Sequence, residues 1–153
     1  MKLQTSTMLA LYSVLEAASQ PGKQVSASEI AERYGVSAHH LAKGLRELGR
    51  AGLVDSSRGA GGGYRFSGNA RRLTLMDVIE RFEDIGARSP ETGTAHTDLG
   101  LTITRVLSEI DEIAKATFRS ITIDTLLKLV QREQRPPASA APPVPPVPKK
   151  ARA

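Results

Sequence analysis

The chain contains no cysteine and no tryptophan in 153 residues, and aromatics make up only 4% of it. Without cysteine there are no disulfides, no thiol nucleophile, no thiolate zinc site and no cysteine-held iron–sulfur cluster. With so few aromatics the core must be aliphatic, which suits packed helices better than an all-β sandwich. Long apolar runs are also missing. The start, Met1-Lys2-Leu3-Gln4-Thr5, leads into no hydrophobic stretch of secretion-signal or membrane-spanning length. A cytoplasmic protein is therefore expected, without membrane contact.

The net charge is +5 and unevenly spread. Residues 1–83 carry 11 Lys/Arg against 8 Asp/Glu, residues 84–134 carry 6 against 8, and residues 135–153 carry 4 against none. Basic ends and a mildly acidic middle fit a polyanionic partner for the N-terminal part.

The most informative stretch is Arg58-Gly59-Ala60-Gly61-Gly62-Gly63-Tyr64-Arg65-Phe66, with four glycines in nine residues. It lies between two strand-like segments, Leu53–Ser57 and Gly63–Phe66. In the second, Tyr64 and Phe66 alternate with Arg65, the period-2 pattern of a strand. The segment therefore reads as a hairpin whose tip carries a cation and glycines that permit positive φ and close backbone approach. A nucleotide-binding glycine loop is the rival reading. It fails because no Lys-Ser/Thr follows the glycines and a strand, not a helix, comes next.

Helical patterns flank the hairpin. Met8, Leu11, Tyr12 and Leu15 fall at helical spacing over residues 5–18, and Gln20-Pro21-Gly22 ends that helix. Ser26 and Glu29 form a capping box for a short second helix, which Gly35 stops. Ser37 then caps a third helix running to about Ala51. Two short helices around a glycine turn are the helix-turn-helix pattern. The third helix buries Leu41, Leu45 and Leu48 and turns His39, Lys43, Arg46 and Arg50 outward. Its first turn, Ala38-His39-His40, is free to meet base edges in a major groove. A merely solvated basic face is the plain alternative; the capped helix before it and the hairpin after it favour DNA. A metal pair at His39 and His40 is rejected, because adjacent helical positions point about 100° apart.

Thr74-Leu75-Met76-Asp77 opens another capped helix with Leu75, Val78, Ile79 and Phe82 on its apolar face, expected to pack back on the first helix. Residues 84–97 lose periodicity and read as a linker loop. From Asp98 to about Ser120, Leu99, Ile103, Val106, Ile110 and Ile113 follow heptad spacing, thickened by Leu107, Ala114 and Phe118. Such a helix spans about 33 Å and carries more apolar surface than one small domain needs, so a homodimer interface is expected. Ile123, Leu126, Leu127 and Val130 mark a last helix, expected to cross the long one or to meet the partner subunit. The tail, residues 135–153, has seven prolines and a basic end; it reads as an unpacked extension.

The order of these elements, with Ala51-Gly52-Leu53-Val54 leading into Arg58-Gly59-Ala60-Gly61-Gly62-Gly63-Tyr64 and then Leu73-Thr74-Leu75-Met76-Asp77-Val78-Ile79, resembles the Rrf2 family of bacterial winged-helix regulators, of the IscR, NsrR and CymR type. The similarity covers roughly residues 1–132 and is most specific in the glycine stretch, where the family pattern has proline at the position of Ala60.

The resemblance implies a mainly α fold with a small β-hairpin. It divides the chain into a winged helix-turn-helix domain over 1–83, a linker loop over 84–97, dimerisation helices over 98–134 and the tail. It implies double-stranded DNA and a second copy of the chain as partners, with contacts from Ser37, Ala38, His39, His40 and Lys43 at the recognition helix and from Arg58, Gly59, Ala60 and Gly61 at the wing. Arg46 joins them from its place on the basic face. Cluster-binding members carry three cysteines in the stretch corresponding to about 84–104, where this chain has Ser89, Thr92, Thr94 and Thr97. No cofactor and no metal site is therefore expected. His96 lies in the same loop, where a lone histidine is usually a plain solvent-facing side chain. The effector is left open between a small molecule, a partner protein and none. The expected function is a homodimeric DNA-binding transcriptional repressor reading a palindrome. The alternative is a winged-helix dimer serving as a protein-interaction scaffold. Enzymatic activity finds no support in any Ser/His/Asp arrangement or carboxylate pair.

Overall fold

The computed structural model describes residues 2–86 and 97–134. The expectations for Ser89, Thr92, Thr94, His96 and the proline-rich tail lie outside these residues. In chain order the elements are α1 (Thr5–Ser19), α2 (Ala27–Tyr34), α3 (Ala38–Arg50), β1 (Val54–Ser57), β2 (Gly63–Phe66), α4 (Leu75–Ile79), α5 (Asp98–Ser120) and α6 (Ile123–Glu133). This is a mainly helical fold with one antiparallel hairpin, in the arrangement of a winged helix.

Helix α1 is the hub, packing against α3, α4, α6 and β2. The stripe of large residues that periodicity picks out packs on the core, with Leu11 buried and Met8, Tyr12 and Leu15 half-buried. Deeper still are Thr7, Ala10, Ser13, Val14 and Ala17, at most 1% exposed. Small side chains let neighbouring elements close in on the helix from several sides. Ser13 satisfies its hydroxyl by donating to the Leu9 carbonyl at 2.7 Å, as a buried polar group requires.

The helix-turn-helix is assembled by local chemistry. The Ser26 hydroxyl accepts from the Glu29 amide at 3.1 Å, and the Glu29 carboxylate accepts from the Ser26 amide at 2.8 Å, closing the capping box. These bonds, the one from the Ser26 backbone first, hold the Glu29 carboxyl below its ordinary range. Gly35 ends α2 in the left-handed region at φ 62°, and Val36 leads into α3. Leu41, Leu45 and Leu48 are buried to 1% or less, which fixes the rotation of α3 about its axis. A second box, between Thr74 and Asp77, starts α4. Met76 is buried there with Val78 and Ile79, while Leu75 and Phe82 are half-buried.

The hairpin pairs Val54 with Phe66, Asp55 with Arg65, Ser56 with Tyr64 and Ser57 with Gly63. A third segment joins it: Val25 donates to the Tyr64 carbonyl at 2.8 Å and accepts from the Tyr64 amide at 2.9 Å. The linker between α1 and α2 thus completes the sheet edge and ties the hairpin to the helices.

The last two helices part company. Helix α6 packs on α1. Its first residue, Ile123, is wholly buried in the core, and the Ile123 amide donates to the Leu73 carbonyl at 2.9 Å. Helix α5 buries no residue. It packs against α4, with Asp111 beside Gly86 and Phe118 against the core. Leu107, Asp111, Ala114 and Phe118 make this half-buried inner line. On the other side Leu99, Ile103, Val106, Ile110 and Ile113 are 49–78% exposed.

Candidate nucleic-acid interface

Burying the three leucines of α3 inward leaves the opposite face to solvent. Ser37, Ala38, His39, His40, Lys43 and Arg46 are all exposed. Ser37 occupies the N-cap position with extended backbone, but its hydroxyl makes no cap bond, so it is available to an outside partner. The imidazole rings of His39 and His40 stand 6.2 Å apart, centre to centre, and are tilted by 58°. They point to different neighbourhoods and do not converge on an ion. Among the described residues no three His, Asp or Glu side chains are grouped as metal ligands.

The wing tip is a tight turn. The Gly62 amide donates to the Gly59 carbonyl at 2.9 Å, and Gly61, at the third position, has φ 80°. That is the pattern of a type II turn, in which the second position favours proline; Ala60 stands there. The four glycines divide their work. Gly59 and Gly61 supply positive φ, and a β-carbon on either would meet nothing within 4 Å. A β-carbon on Gly62 would strike the Ser57 carbonyl at 2.6 Å, and one on Gly63 would strike the Val25 carbonyl at 2.8 Å. Two glycines therefore shape the exposed tip, and two let the hairpin close and dock. Arg58, Gly59, Ala60 and Gly61 are all exposed.

Between α3 and the hairpin runs a groove of about 380 Å³, lined by Arg46, Arg50, Asp55, Ser56 and Tyr64 among others. Its charges are partly engaged. Arg50 meets Glu47 at 2.6 Å and Arg65 meets Asp55 across the strands at 3.6 Å. Both pairs are exposed, so they hold their partners weakly. Arg46 donates to the Ala42 carbonyl of its own helix at 3.3 Å. Lys43, Arg46 and Arg58 have no carboxylate partner among the described residues. The recognition face and the wing tip thus both carry cations without carboxylate partners among the described residues.

The pattern that defines the Rrf2 family, described as an iron-dependent transcriptional regulator, matches residues 3–129. The chain belongs to the Rrf2 family. It is 50% identical over 135 residues to BadM of Rhodopseudomonas palustris, described as an HTH-type transcriptional regulator, covering 88% of this chain and 86% of that one. Among solved structures it is similar to CymR, the global cysteine regulator of B. subtilis, with a TM-score of 0.70 and 26% identity over 84% of this chain and 98% of that one. It is also similar to IscR of T. potens, with a TM-score of 0.67 and 28% identity over 90% and 93%. As an Rrf2 protein it is a transcriptional regulator with a DNA-binding winged helix, not an enzyme.

The chain has no cysteine, so iron cannot be held through thiolates, and the described residues group no three His, Asp or Glu side chains as metal ligands. No helix among the described residues is long and apolar enough to cross a membrane. Sequence reasoning missed the Val25 pairing, because it depends on segments brought together from far apart in the chain.

Proposed function

We propose that this Rrf2 protein is a homodimeric repressor that reads a palindromic operator. Residues 1–83 form the DNA-reading unit, and α5, reached through the linker at 84–97, carries the dimer seam, with α6 fastening it back to the core. The observation that supports the dimer is the row Leu99, Ile103, Val106, Ile110 and Ile113, left in solvent on the side of α5 that faces away from its half-buried inner line. Each such side chain gains about 1.5–3 kcal/mol on full burial, and heptad spacing suits a second copy of the same helix.

In this reading Ser37, Ala38, His39 and His40 meet base edges in the major groove. Lys43 and Arg46 take phosphates, and Arg58 with Gly59, Ala60 and Gly61 enters the minor groove, where narrow A·T stretches attract arginine. The two half-sites lie about 34–36 Å apart, or a multiple of that. Occupying the operator blocks transcription in the cytoplasm. The effector is left open between a small molecule, a partner protein and none, and cysteine chemistry has no part in it because the chain has no cysteine.

Selection of bound fragments from genomic DNA tests the reading: enrichment of one palindromic motif is expected. Recovery of random sequence would leave the winged-helix dimer as an interaction scaffold.

A further inference from the structure

On the flank of α3 away from the wing lies a cleft of about 700 Å³, bounded by the start of α1, by α3 and by the turn after α4. Its inner side is apolar. Leu9 is buried there, and the Phe82 ring lies 4.0 Å from where a β-carbon on Gly44 would stand. Its polar lining is Gln4, Thr5, Ser6, His40, Lys43, Glu47 and Arg81. One carboxylate lines it, Glu47, which meets Arg50 at 2.6 Å, and the nearby Glu83 accepts from the Gln4 amide at 3.0 Å. Neither Lys43 nor Arg81 has an ion-pair partner among the described residues.

We propose that this cleft seats a DNA backbone phosphate, with Lys43 and Arg81 as its cations and the Thr5 and Ser6 hydroxyls as donors; the proposal rests on the DNA reading above. Lys43 shares α3 with the base-reading turn, so an anion in the cleft lies at the edge of the groove that α3 enters. A strand held there on one flank and by the wing on the other is gripped on both sides of the recognition helix. His40, which lines the cleft, joins it to the base-reading turn. Arg81 is outside both the helix-turn-helix and the wing, and its exposed side chain supports nothing in the fold.

The test compares wild type, Arg81→Ala, Arg81→Lys and Arg58→Ala on two probes, a duplex recovered by genomic selection and a random duplex of equal length, across a salt series. Melting curves confirm that each variant is folded. Arg81→Ala is expected to weaken both duplexes by the same factor and to reduce the salt slope by part of the roughly 0.9 that one phosphate contributes, because Lys43 remains. Arg81→Lys should keep most of the slope. A methylphosphonate placed at the contacted position should weaken wild type more than Arg81→Ala, in which only Lys43 still faces the lost charge. If Arg81→Ala binds both duplexes with the wild-type slope while Arg58→Ala is weakened, the cleft proposal is overturned and the DNA reading stands. If wild type binds neither duplex, both fall. If inorganic phosphate binds at the cleft but Arg81→Ala leaves duplex binding unchanged, the site serves a free anion and the proposal is again overturned.

Discussion

Gly63 lies so close to Val25 that a β-carbon on it would meet the Val25 carbonyl at 2.8 Å. This is the point where the wing is fastened to the helices, through the paired backbone bonds of Val25 and Tyr64. A Gly63→Ala variant must push the linker off β2. It should lose about 1–3 kcal/mol of stability, the range for overpacking, and DNA binding should weaken with it. Thermal melting and a gel shift measure the two effects. A variant as stable as wild type would contradict the close approach.

At the tip the direction reverses. Ala60 stands second in a turn of type II pattern, where proline pre-sets the backbone. Ala60→Pro should stabilise the protein by about 0.4–1 kcal/mol by restricting the unfolded chain, with DNA affinity kept or improved. Chemical denaturation reads the gain.

Ile103→Asp combined with Ile110→Asp places two charges in the exposed α5 seam. Light scattering should report a monomer in place of a dimer. The core, which neither residue enters, should still melt cooperatively. An unchanged dimer mass would place the interface elsewhere.

Tyr34 supplies a pH signature. Its hydroxyl donates to the Glu16 carboxylate at 2.7 Å, and its ring stacks on Tyr12 with centres 4.4 Å apart. Burial, then the bond to Glu16, pushes its pKa up from 10.0 to about 12. Because the folded value lies above the unfolded one, the neutral phenol's contribution is complete below pH 10 and is lost as pH rises toward 12. Wild type should therefore lose stability over that interval, and Tyr34→Phe should lack that component. Melting temperatures of both proteins across this range decide it.

What could be read from the sequence was what is local. Leu41, Leu45 and Leu48 declare the buried side of α3 by spacing alone, and that placed His39, Lys43 and Arg46 outward. The boxes at Ser26–Glu29 and Thr74–Asp77 span three residues each and were equally plain. The α1 stripe of Met8, Leu11, Tyr12 and Leu15 does pack on the core, but the deeper positions Thr7, Ala10, Ser13 and Ala17 carry almost no hydrophobic signal; they are buried because their small size lets other elements approach. Ile123 was assigned to the long helix or the partner, yet it closes the core, since periodicity names a buried face without naming what covers it. The glycines were read as clearance for DNA. Gly62 and Gly63 instead clear the way for the protein's own carbonyls. The pairing of Val25 with Tyr64 leaves no trace in either segment, since a single bridged residue has no strand pattern.

The most direct measurement of the central claim is the affinity of Arg58→Ala for a duplex recovered by genomic selection. Arg58 is exposed at the wing and has no ion-pair partner among the described residues, so its truncation should leave the fold and the dimer intact. The account predicts a loss of about 1–3 kcal/mol in binding at an unchanged melting temperature. Wild-type affinity in that variant would remove the wing from DNA recognition and contradict the account.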